Sequence, residues 1–135
     1  MISAVDSSVI LDVLTDSPFN AETGVTALRG ALKEGKLIIC ECVLAEVFPA
    51  IGHHQRFTAL LNDWQLEFVP SSRESAIIAG EMFHKYLKRG GERKKVLPDF
   101  LIGAHALVHA DRLIARDRGY FRDYFSKLVV WYPAP

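Results

Sequence analysis

The stretch from Val96 to Phe121, VLPDFLIGAHALVHADRLIARDRGYF, decides the fold. Pro98 suits the first position of a helix, where its missing amide proton would be unpaired anyway. The helix then predicted, Asp99 to about Ala110, is apolar on most sides. Asp99, Ile102, Gly103 and Ala106 lie along one stripe, and its small residues predict the close approach of another backbone. Leu113-Ile114-Ala115 follows as a short buried strand that ends at Arg116-Asp117. One acid therefore opens the helix and another closes the strand.

Working outward, the same rhythm recurs. Ile2 to Asp6 reads as a strand, with Ser7 or Ser8 capping a short helix. A helix follows from about Ala21 to Glu34, stopped by Gly35, and Leu37 to Cys40 is a second buried strand. From Cys42 the pattern turns helical, with Glu46 in the first or second turn and Pro49 predicted to kink or end it. A helix over about Gln55 to Trp64 precedes a strand, Leu66 to Val69. Ser71 and Glu74 fit a capping box for a helix running to about Lys88, with Ala76, Ile77, Ala79, Gly80, Phe83 and Leu87 inward. Tyr120 to Phe125 reads as a helical turn and Leu128 to Trp131 as a fifth strand. Continuously apolar strands alternating with helices imply a parallel sheet covered on both faces, an α/β fold of three layers.

Composition bounds the rest. The 135 residues, half of them apolar, suit one compact domain over residues 1 to 135. No apolar run approaches the roughly 20 residues of a membrane span, and Asp6 interrupts any signal-peptide core. The expectation is a cytoplasmic protein with no membrane partner. Cys40 and Cys42 lack a nearby Cys or His and are read as small apolar residues, not as zinc ligands. The net charge of zero disfavours indiscriminate nucleic-acid binding, but the charge is divided. Residues 1 to 68 hold nine acids against four bases, residues 69 to 135 seven acids against twelve bases. That polarity suits an acidic pocket flanked by basic surface.

Asp6 and Asp117 fall at strand ends, and Glu46 and Asp99 near the starts of helices entering from the same sheet edge, where open α/β sheets bind ligands. Two carboxylates 4 Å apart repel by about 4 kcal/mol at an effective dielectric near 20. A hard divalent cation offsets that repulsion, and carboxylates with water suit Mg²⁺ or Mn²⁺. Taken singly, each acid has a plainer explanation as a cap, a helix-dipole partner, an ion pair or a turn holder.

The segments VDSSVILDVL, VLAEVF, PDFLIGAHAL and RLIARDRGYF, in this order and spacing, resemble the four acidic motifs of the PIN domain, above all the VapC-type toxin ribonucleases of toxin–antitoxin pairs. The resemblance spans nearly the whole chain. It implies a three-layer α/β/α PIN-like fold with a central, mostly parallel five-stranded sheet. It further implies an endoribonuclease dependent on Mg²⁺ or Mn²⁺, held in check by a cognate antitoxin protein. The family's acids map to Asp6, Glu46, Asp99 and Asp117 as metal ligands and catalytic residues, with Ser8 in a supporting hydrogen-bond role. One departure stands out: Ala115 occupies a place, two before the last Asp, where the family often has Thr or Ser.

Lys94, Lys95, Arg116 and Arg118 are the leading candidates for RNA phosphate contacts, with Lys85, Lys88, Arg89, Arg93, Arg112 and Arg122 as further rim bases. Apolar residues such as Phe48, Ile51, Phe57 and Trp64 predict a homodimer. Other chemistries lack their motifs. The H-A-L-V-H run at His105 and His109 has no Glu after its first His, Gly90-Gly91 belongs to no phosphate loop, and no G-x-S-x-G elbow occurs. A phosphatase with an Asp nucleophile would want D-x-D where the chain has D-S-S. The rival reading that remains is a catalytically weak PIN-like module that binds RNA or a protein partner.

Overall fold

Every predicted strand pairs in register into one sheet of order β3-β2-β1-β4-β5. The strands are β1 (Ile2–Val5), β2 (Lys36–Ile39), β3 (Leu66–Phe68), β4 (Arg112–Ile114) and β5 (Val130–Trp131). All four pairings are parallel, so the mostly parallel expectation becomes wholly parallel. The computed structural model describes residues 1–18, 20–92, 96–116 and 119–132.

The helices are α1 (Ser7–Leu14), α2 (Ala21–Glu34), α3 (Glu41–Ile51), α4 (His54–Asp63), α5 (Arg73–Lys88), α6 (Leu97–His109) and α7 (Tyr120–Tyr124). Contacts link α1 with α2 and α3, and α3 with α4, whereas α5, α6 and α7 pack in series. These are the outer layers. The chain steps from β1 to β2 to β3, then crosses back over the sheet to β4 and β5. Right-handed crossovers in opposite directions put the two helix groups on opposite faces. β1 lies at the centre, between the two directions of winding, where such folds open a crevice at the carboxyl edge.

Two hydrophobic clusters hold the layers. The larger joins Val5, Val9, Ile38, Val43, Leu113 and Ile114 across the sheet, and Ile102 and Ala106 of α6 close it from the other face. The smaller is aromatic and sits among α5, α6 and α7. α6 contributes to both, which explains its apolar residues on several sides. The predicted small stripe is real, but rings rather than a backbone fill it. A Cβ on Gly103 would stand 2.7 Å from Phe125 Cε2 and 3.2 Å from Phe121 Cδ1, so any side chain there would push α7 away.

Four details depart from expectation. Asp6, not Ser7 or Ser8, is the N-cap of α1. Pro49 stays within the last turn of α3, and Gly52, at φ 70°, ends that helix. The capping box of α5 is Ser72 with Ser75, because Ser71 donates its hydroxyl and its amide to Glu41. Last, α5 keeps only part of its predicted inward face: Ala79 is buried and Phe83 and Leu87 are half-buried. It also buries Ser75 and Tyr86, leaving Ala76 and Gly80 exposed and Ile77 53% exposed.

His105 is a packed residue, 1% exposed, with Nε2 2.7 Å from the Val69 carbonyl oxygen. A carbonyl accepts only, so Nε2 carries the proton of a neutral ring. Burial lowers its pKa below the ordinary 6.5, and the nearby His109 acts in the same direction. The unfolded chain therefore takes up the proton first as pH falls. Stability linked to His105 is full above about pH 6.5 and declines below it, by at most about 1.4 kcal/mol per pH unit. Urea midpoints measured from pH 7.5 to 5 should fall more steeply for the wild type than for His105→Gln; equal slopes would refute the assignment.

Candidate active site

The carboxyl end of β1 and the first two turns of α1, α3 and α6 carry the candidate acids and the serines beside them. β1 ends at Val5, and the Asp6 amide continues the ladder by donating to the Ile114 carbonyl at 3.0 Å. Asp6 is thus fixed between β1 and β4. Only 5% of it is exposed. Its Oδ2 accepts the Ser8 hydroxyl at 2.5 Å and the Ser8 amide at 3.4 Å. A helix cap needs one such bond and ordinarily lies in solvent. Burial of a carboxylate this deeply is costly unless partners hold it, and Ser8 supplies two donors.

Glu46 reaches the same place from the second turn of α3. The Ser7 hydroxyl donates to its Oε1 at 3.2 Å, so adjacent serines on α1 hold the two acids. Asp99 lies in the first turn of α6. That helix ends next to the amino edge, where Asp111 Oδ2 accepts the Ile2 amide at 2.6 Å. At 13 residues, α6 is about 20 Å long, which carries its first turn back to the carboxyl edge. Asp117 lies outside the described residues, as do Lys94, Lys95, Arg118 and Arg93. Asp6 and Glu46 are thus brought together through Ser7, Asp99 stands in the first turn of α6, and Asp117 is not among the described residues.

The donor set suits a hard cation. Asp6, Glu46 and Asp99 offer carboxylate oxygens, and the serine hydroxyls already serve the acids. Among the described residues the one set of three ligand atoms within 4.8 Å of one another is elsewhere, Cys40 Sγ, a Glu41 carboxylate oxygen and Cys42 Sγ at the start of α3. Burial pushes the Glu41 pKa up, but the Ser71 hydroxyl and amide outweigh this and hold it below the usual carboxylate value.

The bases divide by edge. Arg112 was grouped with the rim bases, yet it sits at the amino end of β4. Its Nε donates to Ser3 Oγ at 2.8 Å, Nη2 is 3.2 Å from Glu34, and the guanidinium lies 4.6 Å from the Trp131 ring centroid. It is a structural cation on the edge away from the acids. Arg116 is on the acidic edge, but Asp12 holds its guanidinium: Nη2 donates to Oδ1 at 2.9 Å, and Nε stands 2.7 Å from Oδ2 as an ion pair. Asp12, which the sequence allows either on a solvated face or as an ion-pair partner, is the ion-pair partner of Arg116. Its signal was a lone carboxylate within the apolar run Val9-Ile-Leu-Asp-Val-Leu14, the mark of an acid with a buried partner.

The sequence matches the family model described as PIN domain over residues 4–125. No curated protein sequence is significantly similar to it. Solved structures are. The chain is similar to one in VapBC2 from Rickettsia felis bound to a DNA fragment from the complex's promoter, at TM-score 0.74 and 18% identity over 98% of this chain and 100% of that one. It is similar to a chain of VapBC-1 from nontypeable Haemophilus influenzae, at TM-score 0.71 and 15% identity over 97% of both. It is also similar to a chain of FitAcB from Neisseria gonorrhoeae, at TM-score 0.65 and 20% identity over 97% and 96%. Identities this low carry the fold and leave the chemistry to the site.

Proposed function

The chain belongs to the PIN domain family, and from that premise we propose that it is a VapC-type toxin, a metal-dependent endoribonuclease that hydrolyses RNA phosphodiester bonds. The observation that carries this reading is the buried Asp6 carboxylate, held by Ser8 at the end of the central strand and joined through Ser7 to Glu46.

In this reading Asp6, Glu46, Asp99 and Asp117 hold a Mg²⁺ or Mn²⁺ ion. When bound, such an ion supplies neutralisation of phosphate charge and acidification of water. The chain's own residues do the positioning. Ser8 fixes the Asp6 carboxylate, Ser7 fixes that of Glu46, and one of the acids accepts the proton of the attacking water. The products carry 5′-phosphate and 3′-hydroxyl ends. Lys94, Lys95, Arg116 and Arg118 are proposed phosphate contacts, Arg116 as a guanidinium already oriented by Asp12.

The test is direct. Purified protein incubated with structured RNAs should cut them with Mg²⁺ or Mn²⁺ and not in excess EDTA. Cleavage that persists in EDTA would overturn the metal role. The buried methyl of Ala115 favours the second reading, RNA binding without turnover. It would be supported if RNA bound and no metal produced cleavage.

The proposed partners follow from the similar VapBC and FitAcB structures: a cognate antitoxin that covers the acidic edge and is encoded by a short reading frame beside this one. A second copy of the chain is proposed as a further partner. Phe48, Phe68 and Ile77 are exposed large apolar residues that a dimer would cover, whereas Phe57 is spent in the core. Sedimentation giving only monomer at high concentration would refute the dimer. Among the described residues no helix is long and apolar enough to cross a membrane, and a cytoplasmic location is part of the proposal.

A further inference from the structure

A cavity of about 600 Å³ opens on the β4–β5 flank of the acidic edge. Its volume falls within the roughly 300–1,000 Å³ of small-ligand sites. Ala115 and Arg116 bound it, and these residues follow Ile114, whose carbonyl accepts the Asp6 amide. The cavity therefore adjoins the acids. Its floor is apolar, made by the buried ring of Phe125 with Leu128. Arg116, Tyr132, Arg122 and Ser126 are its polar lining, and among the described residues no carboxylate lines it.

Asp12 holds Arg116 through Nη2 and Nε, and the guanidinium keeps further N–H donors among its five. Tyr132 donates its hydroxyl to the Asn20 carbonyl at 3.3 Å. Burial, and then the Asp12 charge, raise its pKa, so the ring stays neutral. Arg122 is different: its side chain is 74% exposed, and its Nε stands 3.5 Å from Asp123 Oδ1 in a solvent-exposed pair, a contact weak enough for a phosphate to displace.

We propose that this cavity is a nucleotide subsite, which takes an unpaired base of the RNA against the Phe125–Leu128 floor while its phosphate meets Arg116 and the exposed cation Arg122. A base has flat apolar faces and polar edges, matching an apolar floor with a polar lining, and only an unstacked base can enter. The subsite rests on the ribonuclease reading and adds to it a seat for one base on the β4–β5 flank of the acids.

Binding of short fluorescein-labelled oligoadenylate, oligocytidylate and oligouridylate tests the subsite independently of cleavage. Anisotropy would be measured in EDTA and, in the Asp6→Asn background, with Mg²⁺. Arg122→Ala should weaken binding of the preferred oligonucleotide about tenfold and lower the salt slope by about 1, with Arg122→Lys restoring most of the affinity. Ser126→Leu, an exposed turn substitution that adds bulk to the cavity lining, should weaken binding at least about fivefold, as expected for a lost base contact. Lys36→Ala, on the opposite edge beside Glu67, should change nothing. Thermal melting checks that each variant folds. The subsite is overturned if both cavity variants bind like the wild type, if Arg122→Ala alone has an effect, or if the wild type binds no oligonucleotide. Binding that responds to these variants without cleavage in any divalent metal would instead remove the nuclease reading and leave the subsite standing.

Discussion

Asp6→Asn is expected to reduce metal-dependent RNA cleavage by about 10²–10⁴-fold, the range for losing an acid–base group from a reacting centre, while leaving the fold nearly as stable as before. The two halves of this result separate two roles of one residue. Asp6 caps α1, and its Oδ2 accepts from Ser8. An amide oxygen accepts the same bonds, and Asn caps helices about as well as Asp. What Asn lacks is the charge. Asp6→Ala loses both, so it should match Asn in activity and cost a further 0.5–2 kcal/mol of stability, roughly the worth of a cap. Cleavage assays and urea titrations on the two variants settle the matter. If Asn retained wild-type cleavage and Ala lost it only in proportion to unfolding, Asp6 would be a cap and nothing more.

Phe100→Ala should be the most destabilising single truncation in the smaller core, by about 3–5 kcal/mol. Phe100 is 0% exposed. Its ring centroid lies 5.6 Å from those of Phe83 and Tyr86, 5.9 Å from Tyr120, 5.2 Å from Tyr124 and 6.3 Å from Phe125. The residue touches α5, α7 and the segment after α7, so no neighbour can collapse into the space without breaking another pair. Against a total of 5–15 kcal/mol for a typical domain, the loss would be a large share. The urea midpoint should fall with little change in slope. A loss under about 1.5 kcal/mol would mean that the aromatic cluster relaxes around the hole. The same variant should blunt RNA binding, since Phe125 also floors the nucleotide cavity.

The order of elements was legible because the strands are short apolar runs bounded by turn residues, and this pattern needs no knowledge of partners. Facing was harder. In α5 the apolar residues Ala76, Ile77, Ile78, Ala79, Met82 and Phe83 extend around much of the helix, so spacing admits more than one inward face. The face was decided elsewhere, by Tyr86 stacking on Phe100 of α6. Capping failed for a similar reason. Ser71 and Ser72 each fit the start of a capping box, and Glu41, thirty residues earlier, claimed the first. Asp6 and Glu46 could be placed together because the end of a strand and the start of the helix that follows one share the carboxyl edge of a parallel sheet. The employment of Arg112 and Arg116 could not be read, because Ser3 and Asp12 lie more than a hundred residues away from them in the chain.

The pairing of β1 with β4 also fixes when the acidic edge can exist. Ser3, Ala4 and Val5 align with Arg112, Leu113 and Ile114, so the central strand waits for the last quarter of the chain before its second side is covered. During synthesis β2 and β3 emerge much earlier and can join β1 on its other side, but Asp99 and the neighbour of Asp6 are then still unmade. A nascent or truncated chain that stops short of β4 holds no assembled acidic edge. The activity proposed for the finished molecule therefore requires the chain through β4.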